Sequence, residues 1–427
     1  MILERLLRKY LSGKFQQNFN ILQIVQDKLQ DTTVEEKHKI LISKYLMIFF
    51  VGQLVGLATL NSLLKHFSIS SNLLSKNYTD LCNRLTNKQI TSLFSTAFEQ
   101  VLSDKFAEMA KMHNCVYSRQ VTTAVLDDSV FRCWLQSEDE ETLKFYDKFF
   151  SGQYKSCVYG FQVVVFGIAI DNVFYPLYID FTQKIVKEGD KKPKSNKHVV
   201  AVKLIDKWKK FYKTLESRGI EIPELFLSCD NGYDHSLVIE AWGNKTLSVP
   251  KKSNKITIDG NSCSINNYIK NVFLPEEEVF LTDNPNSEEP FTKRIRATYN
   301  CRGIQVILLF FRYNYSKKVS VVYCTDLNAK EKTIRRNWFQ RTYIEQYFKI
   351  IKHVLQIQET RPSDKARFEC NLNVYMFLAL QVQLLIKWLR KECDFYHRKG
   401  FINLRQTVMN SSWIKSYLRQ SINDLLQ

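Results

Sequence analysis

The amino-acid sequence predicts an α/β protein in which a mixed-sheet core, carrying a β-rich insertion, is flanked by helical regions at both ends. Residues 1–118 show apolar side chains at helical spacing with few strand signals, and they predict a helical N-terminal domain. From residue 121 the pattern changes to short runs of β-branched and aromatic residues, which are typical of buried strands. Helical spacing returns near residue 330 and continues to the end of the chain.

The predicted core lies in two parts, residues 119–250 and 319–360, on either side of the insertion at residues 251–318. The strand-like runs of its first part are TTAVLDDSVF (122–131), VYGFQVVVFGIAI (158–170), NVFYPLYIDF (172–181), ELFLSCDNG (224–232) and TLSVP (246–250). The second and third runs meet at Asp171 and Asn172, a pair that predicts a hairpin turn.

Two helices are expected between these strands, an amphipathic one at residues 198–218 and a shorter one at about 235–242. The segment 184–213 holds eleven lysines against three acids, and it is either a DNA-contacting edge or a solvated loop and helix face. His235 lies near Asp230 in the sequence, and we interpret it as a polar residue of the turn and helix rather than as a metal ligand.

The insertion is rich in Asn, Ser and Pro turns, with an acidic run at residues 276–278 and a strand, GIQVILLFF, at 303–311. A buried strand, VSVVYCTDL (319–327), then returns to the core. It is followed by one long helix at about 330–355. Residues 361–427 predict a helical, basic C-terminal region.

The charge of the chain favours a polyanionic partner. Lys and Arg number 61 against 43 Asp and Glu, a formal net charge of +18. Phosphates neutralised by such residues release condensed counterions, which drives binding to nucleic acid. Ribosomal, heparin-binding and membrane-surface proteins share this property, so charge alone does not identify the function.

The cysteines and the apolar stretches predict a cytoplasmic protein without membrane segments. None of the ten cysteines forms a CxxC pair, which argues against a zinc ribbon or a redox dithiol. Cys229 and Cys324 lie in apolar strand-like runs, where free cysteine packs as a small hydrophobe. The most apolar stretch, residues 45–60, is shorter than the roughly 20 residues of a membrane span, and Gln53 interrupts it. The start of the chain mixes acidic and basic residues and does not resemble a signal peptide.

Three acids occupy positions from which they can converge. Asp127 is expected at the end of the first core strand, Asp230 ends the strand LFLSCD, and Glu345 lies in the long final helix. Clustered carboxylates suit hard cations such as Mg²⁺. Two such ions, about 4 Å apart, can clamp the attacking and leaving oxygens of a phosphoryl transfer. The alternative is that all three are solvated surface acids, as most Asp and Glu are.

The final helix carries two neighbouring stripes. At about 100° per residue, the apolar stripe contains Ile344, Phe348, Ile351 and Leu355. The second stripe spans roughly 60° and contains Trp338, Arg341, Glu345 and Lys352. In this arrangement Arg341 and Lys352 flank Glu345 and would grip the backbone phosphates of DNA. A surface helix with an ordinary i, i+4 Arg–Glu pair is the equally valid alternative.

The segment VVYCTDLNAKEKTIRRNWFQRTYIEQYFKIIKHVLQIQ resembles the part of bacterial DDE transposases of the insertion-sequence family 4 type that carries the signature Tyr-x2-Arg-x3-Glu-x6-Lys (the YREK group). Arg341, Glu345 and Lys352 match it with the correct spacing. Trp338 stands where the family has Tyr, so the aromatic face is kept and the phenolic hydroxyl is lost.

The other two motifs of this family also have counterparts here. LDDSVF resembles the first-acid motif, an Asp followed one residue later by Thr or Ser, which selects Asp127 with Ser129; Asp128 is the alternative first acid. LSCDNGYDHS resembles the second motif, which assigns Asp230 as a ligand with Gly232 permitting the turn. The three motifs span roughly residues 121–361 in the family's order.

The resemblance implies a ribonuclease-H-like catalytic core and a helical N-terminal region that binds the terminal inverted repeats of the element. It implies a homodimer on double-stranded DNA, with two Mg²⁺ ions per site that Mn²⁺ would replace, held by Asp127, Asp230 and Glu345. The expected activity is cleavage at the element's ends followed by strand transfer. The alternatives are a metal-dependent DNA nuclease and a catalytically inactive DNA-binding regulator derived from a transposase.

Overall fold

The computed structural model describes residues 87–111, 121–132, 147–152, 155–185, 194–284, 290–312, 318–355, 357, 365–392 and 416. The apolar stretch at residues 45–60 and most of the predicted N-terminal domain lie outside the described residues. Within the described ranges, no helix has both the length and the apolar character needed to cross a bilayer.

The described strands form one mixed sheet of 11 strands and a separate two-stranded ribbon. The sheet strands are β1 (Thr122–Arg132), β2 (Asp147–Ser151), β3 (Ser156–Ile170), β4 (Val173–Phe181), β7 (Phe226–Cys229), β8 (Thr246–Ser248), β9 (Lys255–Ile258), β10 (Asn261–Ser264), β11 (Phe291–Tyr299), β12 (Ile304–Arg312) and β13 (Ser320–Cys324), and the ribbon strands are β5 (Lys184–Ile185) and β6 (Lys194–Ser195). Their order across the sheet is β10-β9-β11-β12-β13-β8-β7-β1-β3-β2, with β4 also paired to β3. The predicted α/β class with a mixed sheet is confirmed.

Both antiparallel and parallel pairs meet at β1. It pairs antiparallel with β3, which pairs antiparallel with β4, and on its other side it runs parallel to β7, which is parallel to β8. The predicted hairpin between β3 and β4 is confirmed, because Asp171 and Asn172 are its two turn residues, with φ of 49° and 69°. Asn and Asp tolerate this left-handed conformation better than other non-glycine residues, and it matches the twist of a two-residue hairpin.

The insertion continues the core sheet. Strand β13 pairs antiparallel with β8, and the sheet proceeds through β12, β11 and β9 to β10. The sequence predicted turns around the acidic run, whereas the structure has two helices there, α4 (Ile265–Tyr268) and α5 (Leu274–Asp283), joined by a π-helical turn. Pro275 lies in the first turn of α5, where its missing N–H costs nothing. Glu277 of the acidic run is buried and forms an ion pair with Arg312.

The remaining described helices are α1 (Asn87–Lys111), α2 (Lys197–Ser217), α3 (Ser236–Trp242), α6 (Glu331–Gln340), α7 (Thr342–Lys349) and α8 (Lys365–Glu392). The expected helices at 198–218 and 235–242 are α2 and α3, and both are confirmed. Helix α8 lies in the region predicted to be helical and basic at 361–427. Cys229 and Cys324 are buried and free, as expected.

Helices cover both faces of the core sheet. On one face, Phe166 of β3 packs against Trp208 of α2 and Trp242 of α3. On the other face, Phe131 of β1 packs against Phe348 of α7. Because successive side chains of a strand point to opposite faces, each residue of β1 is directed either to α2 or to α6 and α7.

The single long helix predicted at 330–355 is not regular. It consists of α6 and α7, separated at Arg341, and a π-helical turn at Ile350–Val354. The Arg341 N–H donates to the carbonyl of Trp338, three residues back, which tightens the chain at that point. Arg341 nevertheless keeps helical dihedral angles (φ −60°, ψ −29°), so the axis continues and the residues stay on neighbouring turns.

Candidate active site

Asp127 and Asp230 come from neighbouring parallel strands. The last pair of the parallel register is Leu126 with Cys229; Asp127 is the next residue of β1, and Asp230 is the first residue after the end of β7. Side chains at equivalent positions of paired parallel strands point to the same side of the sheet. The sequence predicted that Asp127 ends its strand, and this is wrong: β1 continues to Arg132 along β3 after β7 has ended. The two carboxyl groups are therefore neighbours at the point where β7 leaves the sheet.

The two candidate first acids point to opposite faces. Thr123 of β1 donates to Asn337 of α6 at 2.6 Å, which places the odd-numbered side chains of β1 on the α6 and α7 face. Asp127 shares that face. Asp128 points towards α2, where its carboxylate contacts Lys197 Nζ at 3.1 Å and Gln162 Nε2 at 2.6 Å. This geometry favours Asp127, because Glu345 lies on α7.

Arg341 joins Asp127 to Glu345. Its Nη1 lies 3.2 Å from Asp127 Oδ2, and its Nη2 lies 2.5 Å from Glu345 Oε1. The Arg341 guanidinium carbon also lies 5.0 Å from the centre of the Trp338 ring, a cation–π contact. Sequence reasoning directed Arg341 to DNA phosphates, whereas in the structure it bridges two of the candidate metal ligands and rests on the aromatic ring of the signature.

Lys352 is also drawn into the site. Its Nζ lies 5.1 Å from the centre of the Phe131 ring, on the face of β1 that carries Asp127. Burial lowers the pKa of Lys352 to about 8, while the nearby carboxylates of Asp128 and Asp127 oppose the shift. The π-helical turn that holds Lys352 is a type of irregularity common at functional sites.

A negative charge on Asp127 is unfavourable. Its side chain is 11% exposed, and burial, reinforced by the charge of Asp230, raises its pKa to about 8 even though Arg341 lowers it. Burial also raises the pKa of Asp230, against the effect of Lys197. Acids with raised pKa values in contact with one another mark places where another cation would be stabilised.

The donor chemistry suits a hard cation, and the side chains are not arranged around one. Within the described ranges, no three His, Cys, Asp or Glu side chains lie close enough to hold a metal ion together. The Arg341 guanidinium lies between Asp127 and Glu345, so these two acids face a cation already. Carboxylate oxygens are the ligands that Mg²⁺ prefers, and the raised pKa of Asp127 indicates that Arg341 compensates its charge incompletely. The chemistry of these carboxylates therefore fits such an ion, whereas their arrangement places Arg341 between two of them.

Asp230 is fixed by a short turn. Its Oδ1 accepts a hydrogen bond of 2.8 Å from the Gly232 N–H, which caps the 3₁₀ turn Asn231–Tyr233. A Cβ at position 232 would lie 2.9 Å from Asp230 Oδ1 and 2.3 Å from Lys197 Nζ. A side chain at this position would have to displace the Lys197 ammonium group and the Asp230 carboxylate, so glycine leaves both groups in place. His235 follows and caps α3 by accepting the Leu237 N–H, which confirms its interpretation as a turn and helix residue.

Lys197 was not singled out from the sequence. At the first position of α2, its ammonium group contacts Asp128 and lies 4.6 Å from the centre of the Tyr233 ring. It thereby connects β1 to the turn that follows β7. The only signal was the lysine-rich segment 184–213, in which eleven lysines are equivalent by composition.

Asp234 links the turn of Asp230 to the insertion. Its buried carboxylate accepts hydrogen bonds from Tyr299 (2.5 Å) on β11 and from Tyr323 (3.2 Å) on β13, and it pairs with Arg302 (3.4 Å). Asn254 in turn donates to the Tyr299 hydroxyl. Sequence reasoning quoted Asp234 in the second motif without a role, because its partners lie 65 to 89 residues away.

Comparison with known proteins adds no relative to this picture: no family model matches the chain, and no curated protein is significantly similar to it.

Proposed function

We propose that this protein is a DNA transposase of the DDE type, similar to the insertion-sequence family 4 group, with Asp127, Asp230 and Glu345 as its catalytic acids. The observation that carries the proposal is the convergence of these residues. Asp127 and Asp230 follow the last parallel pair of β1 and β7, and Arg341 ties Glu345 to Asp127. The signature residues thus meet at one place although they lie far apart in the chain.

The strand order supports a ribonuclease-H-like core within this proposal. Three antiparallel strands, β4, β3 and β1, are followed by the parallel strands β7 and β8, with helices on both faces. In this sheet the first two acids leave neighbouring strands near the middle, and the third comes from a helix on one face. The 11-stranded sheet also carries the insertion between the second and third acids, as the resemblance requires.

The acids would hold two Mg²⁺ ions, with Mn²⁺ as a substitute. When bound, such ions polarise the scissile phosphate and lower the pKa of the attacking water. The chain's own residues orient the DNA strand. Arg341, released from the carboxylates, and Lys352 would bind non-bridging phosphate oxygens, and Trp338 would keep the Arg341 guanidinium plane in place.

The reaction proceeds in two phosphoryl transfers. Water attacks the phosphodiester at the element's end, the P–O3′ bond breaks, and a 3′-hydroxyl and a 5′-phosphate result. That 3′-hydroxyl then attacks a second phosphodiester: its oxygen forms a new P–O3′ bond and gives up its proton, and the P–O3′ bond of the attacked phosphodiester breaks, releasing a new 3′-hydroxyl. The route needs no covalent protein–DNA intermediate. The partners implied by the resemblance are the terminal inverted repeats and target DNA, bound by a homodimer.

The test is a cleavage-and-joining assay with Mg²⁺ and DNA that carries the sequences flanking the gene. We expect the wild type to give joined products, and Asp127→Asn and Asp230→Asn to lose cleavage while retaining DNA binding. Asp128→Asn is the matched control, which should keep cleavage. An Asp230→Asn protein that still nicks this DNA contradicts the assignment.

The same assay separates the two other candidates. Cleaved products without joined ones identify a metal-dependent nuclease. DNA binding without any cleavage by the wild type identifies an inactive regulator, a role that the Arg341 contacts with Asp127 and Glu345 and the change to Trp338 would fit.

A further inference from the structure

A polar groove of about 580 Å³ separates α1 from α2, away from the candidate active site. Its floor includes Tyr178 of β4 and Phe211 of α2, both buried. Two helices packed on one sheet normally close such a space with apolar side chains. Here each helix turns a polar stripe towards the other, so the groove stays open to polar ligands.

The α2 wall of the groove is basic. Lys207, Lys210, Thr214 and Arg218 line it. At about 100° per residue they occupy an arc of roughly 80°, which makes them one stripe. Lys207 is held in place by its Nζ, which lies 5.7 Å from the centre of the Tyr178 ring. Lys209 and Lys213 are also exposed, but they lie on another side of the helix and do not line the groove.

The α1 wall supplies hydroxyl groups and one acid. Ser92 and Ser95 line the rim. Glu99 accepts a hydrogen bond of 2.5 Å from the Tyr178 hydroxyl. Three cations, Lys207, Lys210 and Arg218, therefore face this single carboxylate, and the lining has a net positive charge. Such a wall of Lys and Arg donors with serine hydroxyls binds the oxygens of a phosphodiester.

Helix α2 connects this groove to the candidate active site. It begins at Lys197, which contacts Asp128, and the groove cations follow 10 to 21 residues later. At a rise of about 1.5 Å per residue, they lie roughly 15 to 30 Å along the helix. Phosphates of one DNA strand are spaced about 3.4 Å apart along the axis, so this distance equals roughly four to nine nucleotides.

We infer that the groove between α1 and α2 binds the phosphodiester backbone of double-stranded DNA about four to nine nucleotides from the cleaved bond. This inference rests on the proposed function. The groove holds the duplex by its charge and reads no base sequence, because its donors are suited to phosphate oxygens. Glu99 opposes the ligand and limits the affinity of the groove.

The test compares two charge-matched pairs of substitutions in the full chain carrying Asp230→Asn, which prevents cleavage. Lys207→Gln with Lys210→Gln removes two groove charges, and Lys209→Gln with Lys213→Gln removes two charges from another side of α2. Binding of a duplex of about 30 base pairs, roughly three helical turns, is measured by fluorescence anisotropy over a range of salt concentrations. Each phosphate contact contributes about 0.9 to the slope of log K against log salt.

We expect the groove pair to reduce that slope by about 1.8, and the control pair to change it by less than about 0.5. Glu99→Gln should tighten DNA binding several-fold, the opposite sign to the lysine substitutions. Lysine acetylation gives a local readout: bound DNA should protect Lys207 and Lys210 and leave Lys209 and Lys213 reactive.

Several outcomes overturn the inference. If both lysine pairs change the salt slope equally while the parent protein still binds DNA, the groove assignment is wrong and the proposed function is unaffected. Protection of Lys207 by inorganic phosphate as effective as that by DNA assigns the groove to a small anion instead. A parent protein that binds no DNA rejects the proposed function and the inference together.

Discussion

Arg341 Nη1 lies 3.2 Å from Asp127 Oδ2 and joins two residues 214 positions apart in the chain. The same guanidinium contacts Glu345, so Arg341 is the internal counter-ion of both Asp127 and Glu345. Under the proposed function, a divalent cation would bind Asp127 and Glu345 only if this guanidinium gave way. The structure shows the state in which Arg341 compensates the two acids.

Replacing Arg341 separates its charge from its role on DNA. Arg341→Gln should tighten Mn²⁺ binding about 5- to 10-fold, because it removes a cation that competes for Asp127 and Glu345; a charge interaction of about one pKa unit corresponds to about 1.4 kcal/mol. The same substitution should reduce DNA cleavage. Arg341→Lys keeps the charge and loses the forked geometry, so it should leave Mn²⁺ affinity near that of the wild type and still reduce cleavage. Calorimetry above pH 8 measures the affinities; weaker Mn²⁺ binding by Arg341→Gln would contradict the counter-ion role.

Trp338 should act through Arg341. A cation–π contact contributes about 0.5 to 2 kcal/mol, so Trp338→Ala should lower the rate of cleavage roughly 2- to 30-fold. Trp338→Tyr introduces the residue of the signature that this segment resembles and keeps the aromatic face, and it should retain at least the wild-type rate. Single-turnover cleavage with saturating DNA measures both. Equal rates for all three proteins would show that the ring has no part in placing the guanidinium.

The raised pKa of Asp127 predicts an unusual pH dependence of stability without metal. Because the folded-state pKa is about 8 and the ordinary value is 3.8, the folded protein binds more protons than the unfolded chain between these values. The contribution of Asp127 to the free energy of unfolding must therefore fall as pH rises from about 4 to 8. Asp127→Asn should remove this loss and stabilise the metal-free protein above pH 8 by about 1 kcal/mol or more.

The measurement is urea denaturation with a chelator at pH 5 and pH 9. Asp128→Asn serves as the contrasting variant, because it breaks the pair with Lys197 and should destabilise the protein by about 1 kcal/mol. A difference in the free energy of unfolding between Asp127→Asn and the wild type that is the same at pH 5 and pH 9 would refute the assignment of Asp127 as a buried acid with a raised pKa.

Asp234 should position Asp230 without touching DNA. Tyr299→Phe removes the shortest hydrogen bond to the Asp234 carboxylate. It should lower the free energy of unfolding by about 1 to 3 kcal/mol, as for a buried hydrogen bond to a charged acceptor. Tyr323→Phe removes a longer bond and should cost less. Asp234→Asn should raise the Mn²⁺ concentration needed for half-maximal cleavage, and it should also lower the free energy of unfolding. Chemical denaturation and Mn²⁺ titration of cleavage measure the two effects, and unchanged Mn²⁺ dependence would limit Asp234 to a structural role.

Local patterns made much of the core predictable. The alternating and apolar runs identified β1, β3, β4 and β7, and the Asp-Asn pair identified the hairpin turn, because these features depend on neighbours in the sequence. The lysine-rich amphipathic pattern identified α2 within one residue at each end. Motif spacing placed Arg341 and Glu345 on adjacent turns of one helical segment, and the structure has them in contact.

The contacts across elements could not be read from these patterns. Arg341 meets Asp127 only because α6 and α7 pack on β1, and Lys197 meets Asp128 only because α2 begins beside it. The helices at residues 265–283 were missed because turn-forming residues and an acidic run obscure the helical pattern, and the second helix has a proline in its first turn. Two partners of Asp234, Tyr299 and Arg302, lie in the insertion, and Tyr323 lies on β13; no local signal specifies the register that brings them together.

The continuity of the sheet has a consequence for any attempt to reduce this protein to a minimal domain. Strand β8 has three residues and is covered on its outer side by β13, which itself pairs with β12. Splicing out residues 251–318 would strip β13 of its neighbour and leave an apolar ladder with open N–H and C=O groups. Such an uncovered edge invites pairing with other chains. A shortened protein would thus precipitate or form intermolecular sheets. The strands of the insertion protect the edge of the core sheet from such pairing.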